Sequence, residues 1–169
     1  MSLTGQHLSA SLEDYLEAIF VLCQSGKAAR SKHIAEHLQV ARPSVTGALR
    51  ALAEKQLIHY KPYGYITLTE TGYRIASRVA RRHEALESFF CDVLGVEQDV
   101  AQRSACLAEH AIGPEITLRL TAYLEFLAAE NQAGRNLSEA FEVFCRKRLN
   151  GIKMFYHQQI ERKAGEHNL

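Results

Sequence analysis

Apolar residues recur at helical spacing almost from the start of the chain. Leu12, Tyr15, Leu16, Ile19, Phe20 and Cys23 share one face of a predicted first helix. Ser11, three residues ahead of Asp14, is its expected N-cap in an acidic variant of the capping box, and Gly26 ends it. A short second helix, SKHIAEHLQV, turns Ile34, Ala35 and Leu38 inward. A third follows in ARPSVTGALRALAEKQL, where Pro43 falls in the first turn and its missing N–H would have had no partner anyway. Val45, Ala48, Leu49 and Leu52 form the buried stripe of this helix, which leaves Ser44, Thr46, Gly47 and Arg50 facing outward. The pattern then changes in LIHYKPYGYITLTETG: Ile58, Tyr60, Tyr65, Ile66, Thr67 and Leu68 favour strand, and KPYG supplies a turn.

Thr69 is placed to cap a long helix running through TETGYRIASRVARRHEALESFFCDVLGV. Its expected stripe is Ile75, Val79, Leu86, Phe89, Phe90 and Leu94, and Gly95 is its stop. Further helices are predicted in EQDVAQRSACLAEHAI and, after the Gly113-Pro114 break, in GPEITLRLTAYLEFLAA. ENQAGRN reads as a loop, and a helical tail runs from Leu137 to about Lys163 with an interruption at Asn150-Gly151. The expected fold is mainly α with a small β wing. A winged helix-turn-helix domain occupies residues 1–72 and a helical domain with a C-terminal tail occupies residues 73–169. In a helix-turn-helix the second helix of the pair enters the major groove of DNA, and a hairpin behind it projects toward the phosphates.

Composition adjusts this picture in two ways. With 169 residues and 47% hydrophobic content the chain can bury one core or two small ones. Its 20 Lys and Arg nearly balance 19 Asp and Glu, so any DNA-binding face is local. Such a face exists from Arg42 to Lys61, where Arg42, Arg50, Lys55 and Lys61 meet the single acid Glu54. Base contacts are expected from Ser44, Thr46 and Arg50. Arg42, Pro43 and Lys61 lie on the same face, the two cations against phosphates. Gly47 offers no side chain to a base, which shifts weight onto DNA shape.

Cys23, Cys91, Cys106 and Cys145 form no CxxC pair, which argues against a zinc ribbon or a disulfide framework and for reduced thiols. No basic-then-apolar leader and no run of about 18 apolar residues occurs, so a cytoplasmic protein without a membrane span is expected.

Cys106, Glu109 and His110 stand at i, i+3 and i+4, so one helical turn carries a thiol, a carboxylate and an imidazole on one face. These donors favour Fe(II), Co(II), Ni(II) or Zn(II) over Mg(II) and Ca(II). By spacing alone the face is equally a small hydrophobe beside a polar helix surface. His83 and Glu87 (i, i+4) and Asp14 and Glu17 (i, i+3) are further same-face pairs, for which a surface pair or a helix cap is the plainer reading. Periodicity does not gather them.

From Ser11 to about Ala129 the sequence closely resembles the iron- and manganese-dependent repressors of the diphtheria toxin repressor and manganese transport regulator family. The matching stretches are SLEDYLEAIF, ARPSVTGALRALAEKQLIHYKPYGYITLTETG, RRHEALESFFCDVLGV and ACLAEHAI. The resemblance implies a winged-helix domain, a helical dimerisation and metal-binding domain, and a homodimer that binds palindromic double-stranded DNA operators of metal-uptake genes when loaded with Fe(II) or Mn(II). Co(II), Ni(II) or Zn(II) would be surrogates. It also implies ligands: Asp14 and Glu17 as in the manganese branch, His83 as in both branches, and Cys106, Glu109 and His110 as on the family's ligand helix. The manganese branch usually has a carboxylate where Cys106 stands, and the iron branch lacks an acid like Asp14, so the motif leaves both metals open. Glu87 matches an ancillary-site ligand of the iron branch, where Gln102 replaces a histidine. The SH3-like third domain of longer iron-branch members is not expected.

Two other functions remain compatible with the residues. One is a metal-independent winged-helix regulator that senses an organic ligand. The other is an enzyme using Cys106 and His110, which no Gly-rich or oxyanion motif supports, so a non-enzymatic protein is expected.

Overall fold

A computed structural model describes residues 8–26, 28–61 and 64–148. The order is α1 (Ala10–Gln24), α2 (Ser31–Leu38), α3 (Arg42–Glu54), β1 (Ile58–His59), β2 (Thr67–Leu68), α4 (Glu70–Ser88), a π-helical turn (Phe89–Val93), α5 (Gln98–Glu109) and α6 (Pro114–Gln132). Residues 137–148 are also helical, and the rest of the expected tail lies outside the described residues. The fold is therefore the expected one, mainly α with a small β wing.

The chain forms two compact units. One runs to Glu84 and takes in Cys106–Ile112; the other comprises Ala85–Ala105 and the described residues from Gly113 onward. In the first unit α1 packs on α2, α3 and β2. Leu16, Ile19, Ile34, Leu49, Leu52 and Ile66 fill its centre, all essentially inaccessible to solvent. The α1 stripe differs from expectation at one end. Cys23 is exposed, and Ala18 and Leu22 are buried instead. The helix also starts earlier than expected. Ser9, not Ser11, is the N-cap, its side chain accepting from the Leu12 N–H. Asp14 is thereby released from capping.

The α2–α3 turn relies on Gln39 in the left-handed region, with Val40 N–H reaching back to the Ala35 carbonyl, a helix-ending 6→1 bond. Pro43 falls in the first turn of α3, as expected. The wing is a two-stranded antiparallel ribbon with Ile58 opposite Leu68 and His59 opposite Thr67. It is shorter than the strand-favouring run, because Ile66 N–H bonds to the Ala29 carbonyl and its side chain is buried, while Tyr65 faces solvent against Arg30. At the tip Gly64 N–H bonds to the Lys61 carbonyl, and Pro62 and Tyr63 lie outside the described residues.

Thr69 caps α4 through its hydroxyl, which accepts from Gly72 N–H, and ties the helix to the preceding turn by donating to the Gln56 carbonyl. Gly72 admits no side chain: a Cβ there would sit 1.9 Å from the Leu57 carbonyl oxygen. Near its far end the helix loosens into the π turn and stops at Gly95 in the left-handed region, as its glycine predicted.

In the second unit Leu86, Val93, Ala101, Ala105 and Leu127 are buried and Phe89 meets Tyr123 edge-on. Leu94, expected in the stripe, is exposed. So are Ile116, Leu118, Phe126 and Phe144. The expected loop at ENQAGRN is shorter, since α6 continues through Gln132.

Candidate metal centre and nucleic-acid interface

All the donors expected on the first helix, on His83 and on the Cys106 turn fall in the first unit. α1 contributes Asp14 and Glu17, α4 contributes His83, and the last turn of α5 contributes Cys106 and Glu109, with His110 immediately after it. Two sets of donors converge. One donor atom each from Asp14, Cys106 and Glu109 lies within 4.8 Å of the other two, and the same holds for Glu17, His83 and Glu109. Glu109 belongs to both sets.

Glu109 is also the only buried polar or charged residue among those described, with no exposure to solvent. Its Oε2 accepts from His83 Nδ1 at 2.8 Å. Its Oε1 is buried without a hydrogen bond, 3.4 Å from His110 Nε2. A buried carboxylate oxygen left unmatched is costly, and a divalent cation at the convergence of the two sets would satisfy it. His110 is held by both ring nitrogens. Nδ1 donates to Glu13 Oε2 at 3.0 Å, and Nε2 lies 2.8 Å from Asp14 Oδ1. Burial lowers its pKa, but the hydrogen bond to Glu13 and the charges of Asp14 and Glu109 outweigh that and raise it overall.

Negative charge is in excess here. Burial, and then the charge of Glu109, push Glu17 up to about 7; Asp14 adds to this while His83 and His110 oppose it. The Cys106 thiol is exposed yet raised as well, by partial desolvation and then by Asp14, Glu109 and Glu17. Carboxylates that resist ionising together beside a thiol and imidazoles fit a cation of borderline softness.

Glu87 lies elsewhere, in the second unit, where its Oε1 accepts from Gln98 Nε2. Gln98 Oε1 in turn accepts from Cys91 Sγ at 3.2 Å. Gln102 is exposed.

On the helix-turn-helix, Arg42, Pro43, Ser44, Gly47 and Arg50 are exposed along α3, and Lys61 is exposed at the wing. Thr46 is half-buried and its hydroxyl makes only a long bond, 3.4 Å, to the Arg42 carbonyl. No side chain caps the start of α3; Pro43 has no N–H to offer there, and the Ser44 and Val45 N–H groups bond to the Ala41 carbonyl. Sequence reasoning missed three side chains. Arg30 lies over the Tyr65 ring at 4.5 Å and donates to its hydroxyl, bracing the wing. Glu13 and Arg82 pair at 2.9 Å beside His110. Their only signal was position, one residue ahead of Asp14 and of His83.

Two family models match adjacent parts of the chain. The family model for the N-terminal DNA binding domain of the iron dependent repressors matches residues 7–66, and that for their metal binding and dimerisation domain matches residues 69–135. An uncharacterised HTH-type transcriptional regulator of Methanocaldococcus jannaschii is 32% identical over 70% of this chain and 95% of its own length. The HTH-type transcriptional regulator MntR of Shouchella clausii is 34% identical over 72% of this chain and 84% of its own. A solved manganese-dependent transcriptional repressor in complex with manganese superposes with TM-score 0.58 and 31% identity, covering 68% of this chain and 53% of that one. The chain spans about half the length of such solved structures.

The fold and the matched domains together define a winged-helix DNA-binding protein with a metal-binding and dimerisation domain. The chain belongs to the iron-dependent repressor family and is a metal-dependent transcriptional repressor. The family comprises transcriptional regulators, not enzymes. Among the described residues no helix is long and apolar enough to cross a membrane.

Proposed function

We propose that this repressor binds palindromic double-stranded operators as a homodimer when loaded with Fe(II) or Mn(II), and that it acts in the cytoplasm on genes of metal uptake. Residues 1–72 bind DNA and residues 73–169 dimerise and complete the metal site. The observation that carries the reading is Glu109. It is buried, shared by two donor sets and left with one unmatched oxygen. Asp14, Glu17, His83, Cys106, Glu109 and His110 are the ligands. The bound ion would supply a fixed positive charge that neutralises these carboxylates and, at Cys106, favours the thiolate.

The remaining work falls to the chain. Asp14 and Glu17 sit on α1, the first helix of the winged helix, whereas His83 and the Cys106 turn sit on α4 and α5, which both continue into the second unit. Holding α1 to these two helices fixes the winged helix to the part of the chain that dimerises. A dimer reading two half-sites needs its recognition helices about 34 Å apart or a multiple of that, so fixing them raises affinity without touching a base. Ser44, Thr46 and Arg50 read base edges, with Arg42, Pro43 and Lys61 along the backbone. For Thr46 this means exchanging its long bond to Arg42 for one to DNA.

Manganese in the complex of the similar repressor and the carboxylates of α1 favour Mn(II), while the Cys106 thiol favours Fe(II). Co(II), Ni(II) and Zn(II) fit the same donors as surrogates. The test is selection of duplexes from a random pool in Mn(II) or anaerobic Fe(II), followed by fluorescence anisotropy with the selected duplex. Tight binding with metal and weak binding in chelator is expected. Equal affinity in both would sink the proposal and favour a metal-independent regulator.

A further inference from the structure

The site contains a carboxylate that faces a candidate ligand without facing the donor sets. Glu13 Oε2 accepts from Arg82 Nη2 at 2.9 Å and from His110 Nδ1 at 3.0 Å. The three side chains keep only 19%, 20% and 17% of their surface exposed for Arg82, Glu13 and His110. The opposite ring nitrogen of His110, Nε2, lies 2.8 Å from Asp14 Oδ1 and 3.4 Å from Glu109 Oε1, the carboxylates of the first donor set. One edge of the imidazole is therefore committed to Glu13 and the other is aimed at the ligands.

We propose that Glu13, itself pinned by Arg82, is the positioning residue that orients His110 so that Nε2 is the nitrogen offered to metal. This rests on the metal-site reading above and deepens it. An imidazole can turn over and present either nitrogen, and the one that donates to a fixed acceptor is not the one that binds metal. An outer carboxylate on the far nitrogen sets both the ring's rotation and its tautomer. Glu13 suits the role because its neighbour on α1, Asp14, is a donor, so one turn of α1 brings both the ligand and the group that aims His110. Arg82 suits its role for the parallel reason, since it precedes His83 on α4. The Glu13–Arg82 pair thus joins α1 to α4 and places His110 through protein contacts alone. An exposed ion pair would contribute little to stability; a pair sheltered to this degree is better explained by what it holds.

The experiment compares Glu13→Ala, Glu13→Gln and His110→Ala with the parent in the full chain. Co(II) affinity is read by competition with a chromophoric chelator, and the His110 side chain by ¹⁵N-edited NMR of metal-free protein. The parent is expected to show a solvent-protected Nδ1–H on His110. Glu13→Ala is expected to lose that signal and to bind Co(II) about 10- to 100-fold more weakly, the usual cost of removing an outer-shell partner. Glu13→Gln keeps an accepting oxygen and should restore the protected Nδ1–H and most of the affinity. A Glu13→Ala protein with the parent's NMR signal and affinity would overturn the proposal. So would equal losses of affinity in Ala and Gln variants with the Nδ1–H retained, since charge alone would then be acting. His110→Ala separates the two levels. If it weakens Co(II) binding while Glu13→Ala does not, only the positioning role fails; if it binds Co(II) as the parent does, the ligand reading fails with it.

Discussion

Two clusters on this chain pair a thiol with carboxylates, and they differ in how their hydrogen bonds balance. In the second unit, Cys91 donates to Gln98 and Gln98 donates to Glu87, so a neutral amide answers both neighbours at the surface. In the first unit, Cys106 stands among Asp14, Glu17 and Glu109, where acceptors outnumber donors and one buried oxygen is left over. Similar residue types thus give a satisfied network in one place and a demand for positive charge in the other. The comparison shows that donor type is weak grounds for a metal site. Convergence from separate helices, burial and an acceptor surplus are stronger.

The sharpest way to break this contrast is to remove the shared carboxylate. Glu109→Ala should weaken Co(II) or Mn(II) binding by well over the roughly 100-fold that an outer-shell change can cost, and abolish metal-dependent operator binding. Calorimetry and anisotropy measure the two effects, and retained tight binding would mean that the convergence is not a site. A smaller change is expected from Cys106→Asp. Exchanging a soft donor for a hard one should raise affinity for Mn(II) relative to Zn(II), as read by paired competition titrations.

Acidity sharpens the contrast from another side. Glu17 titrates near 7 in the folded, metal-free chain, above its ordinary value of 4.5. Its proton stabilises the metal-free fold fully below about pH 4.5, and that contribution is lost as pH rises through 7. Metal needs the carboxylate, so Mn(II) affinity should rise with pH up to about 7, by up to about tenfold per unit for this one proton. Glu17→Gln should weaken binding and remove the proton that Glu17 contributes to the slope. An unchanged slope in isothermal titrations at several pH values would exclude Glu17 from the linkage. The smallest effect belongs to the other cluster: Glu87→Ala should leave metal stoichiometry unchanged and stability within about 0.5 kcal/mol. A lost equivalent of metal in elemental analysis would instead make Glu87 the ancillary ligand that the family resemblance implied.

Much of the fold was legible because its signals are local. The stripes of α2 and α3, Pro43 in the first turn, the cap at Thr69 and the stop at Gly95 all follow from side-chain periodicity and backbone preference. Where local reading erred, a neighbour decided. Ser9 displaced Ser11 as the cap, and Cys23 gave up its buried place to Leu22. The strand-favouring run yielded a short ribbon because Ile66 bonds to Ala29, far behind it in sequence. The role of Glu13 was invisible for the same reason, since its partners Arg82 and His110 are 69 and 97 residues away.

What the sequence determined by itself was the winged helix, and a helical turn that sets Cys106, Glu109 and His110 side by side, because both arise from spacings within a few residues. Whether that turn was a polar surface or part of a donor cluster was decided only by tertiary structure. Folding α1, α4 and α5 together buried Glu109, brought Asp14, Glu17 and His83 to it, and turned His110 between Glu13 and Asp14. A carboxylate's environment is set by what folds around it, and no periodicity along one helix specifies that.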